Sequence, residues 1–427
     1  MFPFSGVPAR VPAIGPVGGR ADGRADGPVG GQAGGQAGGA DPVGALCREV
    51  LASLPRSDQR RTGELYVRSL LTATGRHGPV PGQSPVPGAG LVTGAGPVTG
   101  EGPAAGYGPG AGYEPALAQR LHHFVNDSPW DWRPVRRALA ARVDAGTGPV
   151  AWAVRSSTVG RSTFQCVGVD NFADYATGRT VRGQRAVGLW LVTDRGEFPV
   201  TWRLTLTARW LADPVLRARA AIPDDVVPAG PVRSALDCVR EMADGAGVRT
   251  APLILDCRRT DLRSVLRELT SLGVPYLVRV SGSELLAGPA VAPPRARQGP
   301  PRRLSTARQL AGAAAEPGPK VLRVPCRTAA DPTGRPHVLL VVRDPRAGGG
   351  PAYWLTGMAG PATKALGRIA ARHSAPARTA DPVPDFGLHA YAGRSFAAWH
   401  RHTTLASLAR AAALLFPHHA RQRHTAA

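Results

Sequence analysis

The sequence has almost no lysine. Lys320 and Lys364 are its two examples, although lysine and arginine together number 52 in 427 residues. Acidic residues are also scarce, at 30, and the formal charge is +22. A field of that size attracts polyanions, so nucleic acid is the first expected partner and an anionic surface the second. The five cysteines (Cys47, Cys166, Cys238, Cys257, Cys326) are odd in number and lie far apart without a CxxC pair, which argues against a disulfide framework and a thiolate zinc site. No apolar run approaches the ~20 residues that span a bilayer. The opening "MFPFSGVPAR" lacks the basic stretch and apolar core of a secretory signal. A cytoplasmic chain without a membrane partner is expected. Also missing are a P-loop, a GxGxxG after a strand and a GxSxG elbow.

Glycine (53) and proline (42) are abundant instead, and they divide the chain. Residues 1–42 carry the echoes "GRADGRADG" and "GGQAGGQAGG" and are expected to be disordered, because such a segment buries too little apolar surface to offset its ordering entropy. In 43–75, Leu46, Val50, Leu51 and Leu54 have helical spacing, Pro55 interrupts, and Ser57-Asp58 opens a second helix that turns Leu65, Tyr66, Leu70 and Leu71 toward a core. A Gly/Pro-rich linker or insertion follows at 76–112, then a helical segment at 113–147, where Trp130 and Trp132 read as packing residues rather than base-stacking platforms. From 148 to 416 the pattern becomes α/β. Strands are predicted at 150–154, 186–192, 198–206, 252–256, 275–280 and 337–342, with helices at 231–245 and 260–272 and a last one ending near 416. A basic tail occupies 417–427.

The stretch "LILDCRRTDLRSVL" ends a buried-looking strand in Asp256, followed by Arg258 and Arg259. A carboxylate at the C-terminal end of a sheet strand is well placed to project into a crevice. Equally, Asp256 or Asp261 suits the cap of the next helix. In "AWHRHTTLASLARAA", His400 and His402 point about 100° apart per residue on a helix and do not converge on a metal, so a solvated or phosphate-facing basic helix is expected.

In order along residues 44–416, "LPRSDQRRTGELYVRSLL", "RLHHFVNDSPWDWRPVRRAL", "LWLVTDRGEFPVTWRLTLTARWLADPVLRARAAIPDDV", the Asp256 segment and "WHRHTTLASLA" resemble insertion-sequence transposases of the DDE type, most closely the insertion-sequence 701 family. The resemblance implies a ribonuclease-H-like mixed sheet flanked by helices. It also implies three carboxylates that bind two Mg²⁺ or Mn²⁺ ions for phosphoryl transfer on DNA, in a chain that can form homo-oligomers. Asp256 matches the second carboxylate. Arg155 stands where the first is expected, in "AVRSSTVG", and Ala392 where the third is expected, in "YAGRSFAAWHRH".

The resulting expectation is a transposase-like DNA-binding protein whose cleavage and strand transfer are lost or impaired. Arg258, Arg259, Arg394 and Arg401 are its candidate phosphate contacts, since arginine pairs with phosphate oxygens in bidentate fashion. Two alternatives stand beside it: an active metal-dependent enzyme joining Asp256 to Asp170 or Asp174, and a regulatory or protein-interaction scaffold.

Overall fold

The computed structural model describes residues 41–76, 115–161, 164–174, 179–245, 247–288, 304–314, 321–331, 333–343, 350–359, 362–374, 386–387, 391 and 393–418. The tail before residue 41, nearly all of the 76–112 linker, most of the basic tail, and Ala392 lie outside the described residues.

Helix α1 (Pro42–Val50) begins on Asp41, whose Oδ1 accepts from the Gly44 N–H at 3.1 Å, with proline in its first turn. A single 3-10 turn (Leu51–Ser53) leads past Pro55 to α2 (Ser57–Arg76). Leu46, Val50, Leu51, Leu54, Tyr66 and Leu71 are buried, with Leu65 and Leu70 packed against them, as the helical spacing predicts. Helices α3 (Pro115–Asn126) and α4 (Trp132–Thr147) complete this layer. Asp131 caps α4, and Gly148 ends it at φ +58°, a left-handed conformation that glycine adopts without strain. Trp130 and Trp132 are buried here; the Trp130 indole donates to the Phe124 carbonyl and its ring stacks on Phe124.

The sheet begins with β1 (Ala151–Gly160), β2 (Val169–Asp174), β3 (Arg179–Thr193) and β4 (Gly196–Leu204). The long β3 pairs antiparallel with β1 on one side, while β2 and β4 lie end to end along its other side. After α5 (Ala208–Ala212), α6 (Pro214–Arg219) and α7 (Pro231–Gly245), β5 (Leu253–Asp256) joins parallel to β1. Helix α8 (Leu262–Ser271) then leads to β6 (Tyr276–Val280), parallel to β5. The order β4–β3–β1–β5–β6, three antiparallel strands followed by two parallel ones, is consistent with the ribonuclease-H-like arrangement expected. The remaining strands extend it: β7 (Leu285–Ala287), β8 (Leu304–Thr306), β9 (Val321–Thr328), β10 (His337–Val342) and β11 (Ala352–Thr356), with β11 antiparallel to β6. Helix α9 (Ala307–Ala313) follows β8, and α10 (Ala362–Ser374) and α11 (Phe396–Leu415) follow β11.

Side-chain alternation assigns the helices to faces. The Trp202 indole donates to Ser407 Oγ of α11 at 3.0 Å, whereas the next residue, Arg203, pairs with Glu241 of α7 at 2.7 Å. Helix α11 therefore covers one face of the sheet and α7 the other.

The expectation of a solvated basic surface for α11 is corrected by its surroundings. It packs against α2, α3, α4 and β4. His400, Arg401, His402 and Arg410 are all buried. Only two of its side chains carry a fixed charge, and protein oxygens receive both. Arg401 donates to the carbonyls of Val125, Asn126 and Trp130, and Arg410 Nε to the carbonyl of Glu197. From Asp41 onward, helical layer and sheet form one compact unit. Among the described residues, no helix is long and apolar enough to cross a membrane.

Candidate active site

The site is built on neighbouring strand ends. Trp152 pairs with Leu253 and Ala153 with Ile254 between parallel β1 and β5. The pairing of β1 with β5 ends there, two residues before Arg155 and Asp256. Asp256 pairs in turn with Arg279 of β6, and Arg155 with Gly188 of β3.

Asp261, not Asp256, caps α8, accepting from the Arg263 N–H. That leaves Asp256 as an exposed carboxylate at the end of a buried strand, with Arg258 folded back on it. Arg258 Nε lies 3.0 Å from both carboxylate oxygens, Nη2 is 2.6 Å from Oδ2, and the Arg258 N–H donates to Oδ1. Burial pushes the Asp256 carboxyl upward, but the hydrogen bonds and charge of Arg258, with the charge of Arg279, outweigh it. The net effect holds Asp256 below the usual carboxylate range.

Arg155 turns the other way. Its guanidinium passes over the Trp190 ring, 5.4 Å from the centroid, and forms an ion pair with Glu197 of β4. Glu197 is buried, with a side chain 7% exposed against 44% for Arg155. His373, at the end of α10, brings Nε2 to 3.8 Å from Glu197 Oε1. Burial, and then the positive charges of Arg155 and Arg372, push the His373 imidazole down to about 4, so it is neutral at physiological pH. Arg410 approaches the same Trp190 ring at 5.2 Å.

Glu197 and His373 are the members that sequence reasoning missed. A lone acid inside the continuously buried run of β4 was the available signal for Glu197, since a buried charge needs a partner. Nothing local marks His373, which reaches the site only through the packing of α10.

The proposed substitutes for the missing carboxylates are not brought here. Asp170 pairs with Gly183, which pairs with Gly160, five residues along β1 from Arg155 and thus roughly 16 Å away at strand rise. Its carboxylate accepts from the Thr207 hydroxyl. The backbone of Asp174 lies further along, opposite Arg179.

Among the candidate phosphate contacts, Arg258 and Arg259 are exposed beside Asp256. Arg394 is exposed but stands apart, donating to Gln165 Oε1 at 2.7 Å. Arg401 is removed from the set, because its guanidinium is buried among the three carbonyls named above.

A divalent-metal pair requires several oxygen ligands converging on one point. Asp256 is clamped by one guanidinium and flanked by a strand position that holds another. Among the described residues, no group of three His, Cys, Asp or Glu side chains is placed to hold a metal ion. The described residues do not fit a two-metal centre.

The family model of the DDE superfamily endonucleases matches residues 110–335, more than half of the chain. The chain belongs to that family. The matched region includes Arg155, Glu197 and Asp256 and stops before α10 and α11. None of the curated proteins matches the sequence.

Proposed function

We propose that this chain is a transposase-derived DNA-binding protein of the insertion-sequence 701 type in which two-metal strand cleavage has been lost. The observation that carries the reading is at the end of β5: the Asp256 carboxylate is taken by Arg258, and no group of three metal-ligating side chains forms among the described residues. A dication approaching Asp256 meets guanidinium charge instead of further oxygen ligands. DNA remains the partner because the formal charge of +22 is overwhelmingly arginine, and Arg258, Arg259 and Arg394 present it at the surface.

Two assays on the full chain test this. In supercoiled-plasmid nicking with Mg²⁺ or Mn²⁺, wild type and Asp256→Ala should give the same background; nicking abolished by that substitution and by EDTA would overturn the loss of cleavage. In fluorescence anisotropy with labelled duplex, affinity should fall steeply with salt. Changing Arg258, Arg259 and Arg394 to Gln together should lower the slope of log K against log salt by about 2 to 3. A wild type without salt-dependent binding would favour the scaffold reading instead.

A further inference from the structure

Three arginines from distant parts of the chain meet at one turn beyond the end of β1. Arg182 of β3 lies over the Phe164 ring, its guanidinium carbon 4.4 Å from the centroid, and Arg209 of α5 lies over the same ring at 4.5 Å. Arg394, from the segment before α11, donates to the next side chain, Gln165, at 2.7 Å. Two bonds hold these parts together: the Val167 N–H donates to the Gly393 carbonyl at 3.1 Å, and the Trp210 indole to the Val169 carbonyl at 3.0 Å. All three arginines are exposed, whereas Phe164 is half-buried.

Positive charge is left uncompensated here. A ring attracts a guanidinium but offers no acceptor atom to its N–H groups. Two cations on one ring lie within about a Debye length of each other and repel. Among the described residues, the side chains of Arg182 and Arg209 donate no hydrogen bond, and no carboxylate pairs with any of the three arginines. Two acids close by in sequence are otherwise engaged. Asp170 shares a rung with Gly183 and so sits on the opposite face of the sheet from Arg182, and it accepts from the Thr207 hydroxyl. Asp213 caps α6, accepting from the Val215 and Leu216 N–H groups.

We propose that Arg182, Arg209 and Arg394 form a docking surface for the phosphate backbone of duplex DNA, with Phe164 as the post that fixes two of the guanidiniums. The inference rests on the DNA-binding reading above and adds a contact surface roughly 20 Å along β3 from Gly188, the partner of Arg155. Phosphate oxygens supply the acceptors that the ring lacks, and their charge removes the repulsion between the two cations. Contacts of this kind position a duplex without reading its sequence.

The test is fluorescence anisotropy of the full chain across a salt series, with two labelled duplexes of unrelated sequence. Wild type should bind both with a steep salt slope. Arg182→Gln/Arg209→Gln should lower the slope of log K against log salt by about 2 on both duplexes, because each lost phosphate contact removes about 0.9. Arg137→Gln/Arg335→Gln removes the same charge from exposed positions near the end of the sheet where β5 and β6 begin, one beside Gly245 and one just before β10. Its slope should match wild type. Arg209→Gln alone should lower the slope by about 1, and it covers the case in which loss of Arg182 disturbs β3. Urea midpoints establish that each variant is folded.

A folded Arg182→Gln/Arg209→Gln variant with the wild-type slope would overturn the proposal. So would an equal fall in the control variant, which would make the effect one of net charge alone. A loss confined to one duplex would indicate base contact and would overturn the phosphate assignment. The outcome also separates the two readings. Steep wild-type binding that ignores Arg182 and Arg209 removes only this surface, whereas a wild type without salt-dependent binding removes both.

Discussion

Arg136 should be a stabilising residue of the whole fold although it contacts no carboxylate. It projects from α4 into the layer between α11 and the sheet and is 2% exposed. Nε donates to Thr404 Oγ1 at 2.8 Å, and Nη1 to the Trp202 carbonyl at 2.9 Å. Nη2 donates to Thr403 Oγ1 at 3.1 Å, to the His400 carbonyl at 3.2 Å and to His400 Nδ1 at 3.1 Å. Burial pulls the guanidinium down to about 10, and burial together with the nearby arginines also holds the His400 imidazole well below its ordinary value; Nδ1, facing a guanidinium that can only donate, is the acceptor. Arg136→Met keeps most of the volume and removes every donor. The threonine hydroxyls keep bonds of their own to helix carbonyls, whereas His400 Nδ1 and the His400 carbonyl lose this donor. Each buried group left unpaired costs about 1–3 kcal/mol, and release of the guanidinium's desolvation offsets part of the sum. A net loss of about 3 kcal/mol is expected, read as a lower urea midpoint at unchanged slope. A variant as stable as wild type, or more so, would refute the reasoning, because desolvation of Arg136 would then exceed all of its hydrogen bonds.

Acid should destabilise the protein between pH of about 6.5 and about 4. His373 is a base whose pKa is lowered on folding, to about 4, so in that interval the unfolded chain binds a proton that the native one refuses, and stability rises with pH. The full effect is about 3 kcal/mol. His373→Gln should flatten this part of the urea midpoint against pH, and an unchanged slope would count against the buried neutral imidazole. Gly183 should not tolerate a side chain: a Cβ there would lie 2.2 Å from the Val159 carbonyl oxygen on the paired strand. Gly183→Ala should therefore lower stability by about 2 kcal/mol or more in the same assay, and a neutral result would mean that the β1–β3 pairing yields locally.

Much of the scaffold was legible in order of sequence. Local periodicity marks α1 and α2, α7 at Pro231–Gly245, and the strand β10 at His337–Val342, because those segments carry their own apolar pattern and breakers. The strands β2, β7, β8, β9 and β11 went unread. In β9, proline and arginine interrupt the alternation, and β2 and β11 are short segments whose pairing partners lie elsewhere in the chain. The boundary of β1 was also misjudged, since its polar second half, Arg155–Gly160, is a strand only because β3 pairs with it throughout.

The sequence by itself determined the residue types available at the site: arginine at 155, aspartate at 256, and arginine at 258 within reach of that aspartate two residues away. Tertiary structure alone decided what those residues do. It set Arg155 against Glu197, 42 positions along the chain, and brought in His373 from a helix much further on. It also turned the basic-looking α11 into a buried element by surrounding it with helices and sheet. The physical reason is common to all three. A side chain's charge is local, but its solvation and its partners are set by whatever the fold packs around it.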